Sequence, residues 1–271
     1  MMRALYTAAS GMIAQQTSVD TISNNIANVN TTGFKSNKAE FKSLLYQNIQ
    51  TRTTTANGAQ KPIPAQAGLG TRIASTTTSF TQGSLQETES STDFALEGDG
   101  FFAVRGVDGQ TYYTRNGNFS WAMGPNGTTL CTTEGYPVLD SNGNQIILPQ
   151  GVTSENFIVS STGQIGYYNA AGTYVDTNQT LGVFQFSNPT GLEKTSSSLY
   201  QVTAASGQAL NEQTAAGLTR STVLQKHLEG SNVQVADEMV NLIVAQRAYQ
   251  LNSKAITTAD DMLEQANNLK R

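Results

Sequence analysis

The C-terminal stretch from Ser231 to Arg271 constrains this chain more than any other. Val235, Leu242, Tyr249, Ile256 and Leu263 fall at seven-residue intervals, with Met239 alongside. Glu238, Ala245, Asn252, Ala259 and Ala266, mostly small, hold the half-steps between them. A seven-residue apolar repeat of this length is the pattern of a helix whose seam faces other helices. Nothing breaks the run, because no Gly or Pro follows Gly230. Ser231 and Gln234 have the spacing of a capping box, in which both side chains satisfy backbone N–H groups left free by the first turn.

The first thirty residues mirror this pattern. Leu5, Met12, Val19 and Ile26 repeat every seven, and Ala8, Gln15, Ile22 and Val29 fill the half-steps. Gly33 is the expected stop, since Gly takes a left-handed C-terminal conformation without steric cost. Residues 1–35 and 225–271 therefore read as a helical stem, with helices spanning ~40 Å and ~55 Å at ~1.5 Å per residue. One solution for the seams is a two-helix hairpin packed on the chain's own globular domain. The other is that further copies of the chain supply the missing partners, because two narrow seams of small residues bury little against each other. Composition suits the second. Charged residues make up 13% of the chain, where ~25% is usual, so copies repel one another weakly.

Residues 36–67 read as a connector and an extended arm. Phe34, Phe41, Leu44, Leu45 and Tyr46 show no clear period, and Gln47 to Gln66 is polar and Thr-rich, with Pro62 and Pro64 near its end. That composition fits an extended connector or a long β-hairpin arm, and long unstructured loops in compact domains are usually functional. Residues 68–224 read as one all-β domain. Short β-branched or aromatic runs such as Phe101 to Arg105, Thr111 to Arg115, Gln145 to Leu148, Phe157 to Val159 and Leu181 to Phe186 alternate with turn signals. Among those signals are Asp108-Gly109, Asn116-Gly117, Asn126-Gly127 and Asn142-Gly143. The expected class is α+β: paired, coiled-coil-like terminal helices with an all-β domain of hairpins inserted between them.

Several patterns resemble chemistry without supplying it. Gly98-Asp99-Gly100-Phe101-Phe102-Ala103 has dinucleotide-loop spacing, but a strand pattern follows where that loop needs a helix. Asp140-Ser141-Asn142-Gly143-Asn144 opens like a calcium loop, yet Gln145 stands where a Gly is required and Gly151 where a bidentate Glu is required. Cys131 and His227 are the sole residues of their kinds, which leaves no disulfide, nucleophile–base pair or transition-metal set. Cys131 reads as a small buried apolar residue, and His227 lies near the expected helix start. Asp93, Glu97 and Asp99 read as solvated acids rather than a glycosidase pair. No catalytic residue, cofactor site or metal site is expected, and the chain is not expected to be an enzyme. The net charge of −4 without a Lys/Arg cluster argues against a nucleic-acid partner. No apolar run approaches the ~18 residues of a membrane span. Residues Met1 to Thr7 lack the apolar core of a secretory signal, so the residues alone indicate the cytoplasm.

Ser23-Asn24-Asn25-Ile26-Ala27-Asn28-Val29-Asn30-Thr31-Thr32-Gly33-Phe34-Lys35 resembles the N-terminal signature of bacterial flagellar rod and hook proteins. Within it Asn24, Asn25, Ala27, Asn28, Gly33 and Phe34 carry the motif. Asn232 to Ile243 and Gln246 to Ala255 resemble the other end of the same family, and Leu96 to Phe102 and Tyr113 to Phe119 resemble its β-domain motif. Length, Gln15-Gln16 and Leu44-Leu45-Tyr46-Gln47 favour the family's distal-rod branch, with a proximal rod or hook-type subunit as the alternative. A secreted β-domain adhesin or carbohydrate-binding protein is the rival from another class.

The resemblance implies a structural subunit that polymerises helically into a rigid hollow shaft. It implies export through the flagellum's own channel without a cleaved signal, and a place in the basal body outside the cytoplasmic membrane. The implied partners are further copies of the chain, proximal rod and hook subunits at the ends, and P- and L-ring proteins where an outer membrane is present. Membrane insertion is not implied. Subunit contacts are expected at Leu5, Met12, Val19, Ile22, Ile26, Val29, Val235, Met239, Leu242, Tyr249, Ile256 and Leu263. The Gln47–Gln66 arm is the expected stiffening element, and the free termini are expected to order only on assembly.

Overall fold

The computed structural model describes residues 2–50, 65–124, 127–148, 157–169, 173–195, 198–215 and 217–269. Their class is α+β, with one helix near each end and many strands between. They form two compact units.

The helical unit takes in the described parts of 2–27, 37–78 and 234–269. Helix α1 is Met2–Ala27 and helix α2 is Val235–Asn268. They run side by side in opposite directions. Asn25 Nδ2 donates to Glu238 Oε1 at 3.1 Å, and further along Gly11 faces the Asn252 side chain. A Cβ on Gly11 would stand 2.8 Å from Asn252 Nδ2, so the absence of a side chain lets the helices close on each other there. The buried residues are mostly small: Ala8, Ala14, Ile22 and Asn25 on α1, Ala245 and Ala259 on α2.

α1 is shorter than its apolar pattern predicts, whereas α2 contains the whole of its repeat from Val235 to Leu263. α1 stops at Ala27, and residues 28–33 form turns, so Val29 keeps the seven-residue phase without being helical. Gly33 does adopt a left-handed φ of 66°, but six residues beyond the helix end, where it serves a different purpose described below. α2 begins at Val235 with Gln234 as its N-cap and no side-chain cap bond. The expected capping box does not form: Ser231 Oγ accepts from the Val233 N–H instead. Asp237 and Glu238 in the first turn complement the positive end of the helix dipole. His227, expected near a helix start, lies in the strand His227–Glu229.

Strands β1 (Asn37–Ser43), β2 (Tyr46–Gln50), β3 (Ala65–Gly68) and β4 (Thr71–Thr78) belong to the same unit. β1 pairs antiparallel with β4 from Asn37 opposite Thr78 to Ser43 opposite Thr71, and β2 pairs with β3 from Tyr46 opposite Gly68. Leu44 N donates to Gly70 O and Leu69 N to Leu45 O across the join, which makes one long ribbon. A two-stranded ribbon alone is marginal in water; here α1 holds it. Asn25 grips Asn37 from both sides, donating to its carbonyl at 2.8 Å and accepting from its N–H at 3.0 Å, and Ser10 Oγ accepts from Thr71 N. Residues 37–50 and 65–67, expected as connector, are thus ribbon. Residues 68–78, expected in the β domain, continue it. The centre of the Gln47–Gln66 arm, residues 51–64, lies outside the described residues.

The β unit takes in the described parts of 28–36 and 79–233. Its largest sheet is antiparallel, ordered Glu193–Lys194, Leu199–Gln201, Thr111–Thr114, Phe101–Arg105, Val183–Gln185, Leu210–Asn211. Side chains alternate across a strand, and both faces of the central Phe101–Arg105 strand are buried. Phe102 and Val104 enter a large cluster with Phe94, Leu130 and Phe157, while Phe101 and Ala103 enter a second one with Tyr113, Phe186 and Tyr200. Cys131 is buried and free. Asn116-Gly117 is not the hairpin turn its composition predicts. Gly117 stands there because the chains touch: a Cβ would lie 1.7 Å from the Phe94 carbonyl oxygen.

Candidate assembly surfaces

The N-terminal motif divides between the units. Asn25, 1% exposed, is the clamp on Asn37 and Glu238 in the helical unit, and Ala27 ends α1. Asn24 is exposed on the last turn. From Asn28 onward the motif belongs to the β unit. Asn28 closes a turn, its carbonyl and Oδ1 accepting from Thr31 N and Oγ1. Gly33 N donates to Glu229 O at 2.7 Å, and a Cβ on Gly33 would stand 2.6 Å from Asn116 N. Positive φ and backbone contact both require Gly at that position. Phe34 is buried with the Lys194 ammonium 4.3 Å from its ring centre, and its carbonyl accepts from Asn232 N. Asn232 in turn accepts from Ser36 N and donates to Ser79 O.

These contacts converge on a buried ionic cluster. Lys35 Nζ lies 2.7 Å from Glu229 Oε1 and also donates to Thr81 O at 2.8 Å. The same carboxylate oxygen accepts from Gly83 N, and Arg115 Nη1 stands 3.5 Å from Oε2. Arg115 Nη2 donates to Gly98 O, and its guanidinium sits 5.0 Å from the centre of the Phe101 ring. All three side chains are sealed from water. Burial pulls the Lys35 and Arg115 pKa values below their ordinary ranges, against the opposing pull of Glu229 on each. Burial pushes the Tyr113 and Tyr200 hydroxyls up. Residues from three stretches that resembled the family's motifs therefore meet at Glu229: Gly33, Lys35 and Arg115 directly, and Gly98 and Phe101 through Arg115. Glu229 is not among the residues singled out in the sequence, where nothing sets it apart from nearby Lys226 and the other scattered charges.

The seam residues have mixed fates. Ile22 is buried within the single chain, and Leu5, Met12, Val19, Ile26, Val29, Leu242 and Ile256 are half-buried. Val235, Met239, Tyr249 and Leu263 are 40, 56, 41 and 38% exposed. The largest exposed apolar side chains lie off the seam and were missed by the seven-residue reading: Tyr6 and Ile13 on α1, and Val240, Ile243, Val244 and Leu251 on α2.

The rest of the described surface offers little chemistry. A cleft of about 410 Å³ is lined by Ser161, Gln164, Glu212, Arg220 and Ser221 among others. Its acid, Glu212, is already used by Ser221 N, Ser221 Oγ and Gln185 Nε2. The Asp140 carboxylate of the calcium look-alike accepts from Ser141 N, Thr180 N and Thr180 Oγ1. Among the described residues no group of three or more His, Cys, Asp or Glu is placed to hold a metal ion, and no helix is long and apolar enough to cross a membrane.

Comparison with known proteins adds a family. Residues 5–35 match the family described as "Flagella basal body rod protein", residues 95–167 the "Flagellar hook protein FlgE/F/G D1 domain" and residues 224–269 the "Flagellar basal body rod FlgEFG protein C-terminal". The chain is 44% identical over 277 residues to the "Flagellar basal-body rod protein FlgG" of Borreliella burgdorferi, covering 100% of both chains. It is 38% identical over 271 residues to the protein of the same name in Bacillus subtilis, again covering 100% of both. The "Flagellar hook-basal body complex protein FlhP" of Bacillus subtilis is 32% identical over 277 residues at the same coverage.

Two outcomes test the ionic cluster. Glu229→Gln leaves two buried cations without the carboxylate they pair with, and breaking a buried pair in this way costs about 3–5 kcal/mol. Urea unfolding followed by Trp121, whose ring packs 5.0 Å from Phe157 in the β unit, should show that loss. Glu87→Gln, on an exposed strand position, should change stability by less than ~0.5 kcal/mol. The second outcome is a pH profile. Between the lowered folded pKa of Lys35 and its ordinary 10.5, the unfolded chain binds more protons, so stability rises with pH. Above the ordinary tyrosine value of 10.0 the unfolded tyrosines lose protons that folded Tyr113 and Tyr200 keep, so stability falls. The urea midpoint should therefore climb toward pH 10 and drop beyond 10.5, and Lys35→Met should flatten the climb.

Proposed function

The chain belongs to the family of flagellar basal-body rod proteins, and from that premise we propose that it is a structural subunit of the distal rod. The observation that carries this reading is the 44% identity along the whole length of a rod protein. The reading of a hook-type or proximal subunit has weaker support, since the hook-basal-body relative is 32% identical over the same span. The family is one of structural proteins, so the reading assigns the chain no reaction.

In this reading the subunits assemble helically into a rigid hollow shaft that transmits torque and passes exported subunits. Packing between two different surfaces of one chain gives an open helical filament rather than a closed pair. α1 and α2 pair as a coiled-coil-like stem that lines the tube, and the exposed apolar side chains of both helices support a role in packing on neighbours. The ribbon bridges adjacent subunits through its arm. The shaft stands in the periplasm, its subunits exported without a cleaved signal. It is joined to proximal rod and hook subunits at its ends and ringed by P- and L-ring proteins where an outer membrane is present.

The purified full-length chain should polymerise into straight hollow filaments visible by electron microscopy; a chain that stays monomeric at every concentration overturns the reading. Ile243→Asp should reduce polymer yield at least tenfold while leaving Trp121 emission native, because the charge enters the helical unit and Trp121 reports the β unit. Deleting residues 51–64 should leave filaments that bend more readily. Filaments as stiff as the native ones would remove the arm from the mechanism.

A further inference from the structure

Among the large apolar side chains that the helical unit exposes, which include Tyr249, Leu251, Met262 and Leu263 on the C-terminal half of α2, two helix stripes stand out. On α1, Met2, Tyr6 and Ile13 are 80, 61 and 64% exposed, and their spacings of four and seven put them on one helix face. On α2, Met239 and Ile243 are four apart, as are Val240 and Val244, and all four are 56–62% exposed. The helices are antiparallel, with Gly11 beside Asn252 and Asn25 beside Glu238. The α1 stripe therefore lies at the end of the pair that holds the C-terminal half of α2, and the α2 stripe lies at the other end. Their centres are separated along the axis by roughly 25 Å, from about sixteen residues at ~1.5 Å each. The stripes do not meet within one chain.

Their charges are complementary. Arg3 is the sole charged residue of α1 between Met2 and Ile13, whereas α2 between Val235 and Val244 carries Asp237 and Glu238. Arg3 and Asp237 are exposed, and Glu238 already bonds Asn25. Each stripe presents three or four exposed apolar side chains, far fewer than the roughly 20–30 residues a side of a stable pair.

We propose that the two stripes are the two halves of one heterologous contact between copies of this chain. The Met2/Tyr6/Ile13 face of one copy packs on the Met239/Val240/Ile243/Val244 face of the next, with Arg3 set against Asp237. The inference rests on the homopolymer reading above and specifies its geometry: contacting copies are displaced along the helix axis by roughly the separation of the stripes. One such contact is too small to hold an isolated pair. Every interior copy of a chain uses both of its stripes, so the contact persists only in a growing assembly.

The test uses two full-length single variants, Tyr6→Cys and Ile243→Cys, since the native Cys131 is buried. Each variant alone, and the two mixed, are polymerised and treated with a short bifunctional maleimide. The expected result is at least tenfold more cross-linked dimer in the mixture than in either variant alone. Equal cross-linking in each variant alone means a self-complementary contact and overturns the proposal. Sedimenting polymer with no cross-link in the mixture also overturns it while the homopolymer reading stands. If the native chain forms no polymer, both fall. Should either cysteine impair assembly, Ile13→Cys with Met239→Cys probes the same pair of faces.

Discussion

Glu229 is one carboxylate, yet the arrangement of the β unit depends on it. It lies in a place water does not reach, with Lys35 and Arg115 both drawn to it. Charges removed from water are tolerated only where partners and hydrogen bonds replace the lost solvation. The Thr81 and Gly98 carbonyls and the Gly83 N–H supply part of that replacement. Segments far apart in the chain must therefore arrive together or leave a bare charge in an apolar surrounding. Gly33, held against Asn116 with no room for a side chain, shows how tightly the N-terminal segment enters that site.

The helices invert the usual economy of a soluble surface. A helix in a monomer commonly buries its large apolar residues and exposes small or polar ones. α2 instead buries Ala245 and Ala259 and leaves Met239, Val240, Ile243 and Val244 exposed. Small inner residues let α1 and α2 approach closely, as at Gly11, but return little apolar burial. Covering one large side chain is worth ~1.5–3 kcal/mol, so most of the stabilisation available to these helices lies on the outward face. Their patterning is that of parts made to be covered by something else.

Much of this was legible in the residues, and the misses have physical causes. The helices are announced by their period, but Val29 keeps that period after the backbone has left the helix, so the period alone places the end of α1 too late. The ribbon was obscure because β1 and β4 are mostly exposed along their lengths, which leaves no alternation to detect. Phe101 to Arg105 was clear as a strand because both of its faces are apolar. The ionic cluster was invisible, since residues 35, 115 and 229 share nothing in sequence but charge. Of the exposed stripes only Met239 is legible as a contact residue, for a different reason: a seven-residue repeat directs attention to the seam, and Tyr6, Ile13, Val240, Ile243 and Val244 fall between its positions.

The ribbon has one further property. Its strands start and finish side by side within the helical unit, anchored at Asn37 and Thr78 by α1 and by each other. Adding one residue to each strand at the far end extends it by about 3.3 Å and shifts neither anchor nor helix. The chain thereby contains an adjustable spacer, whose reach can be revised by paired insertions while every other contact in the molecule is left as it was.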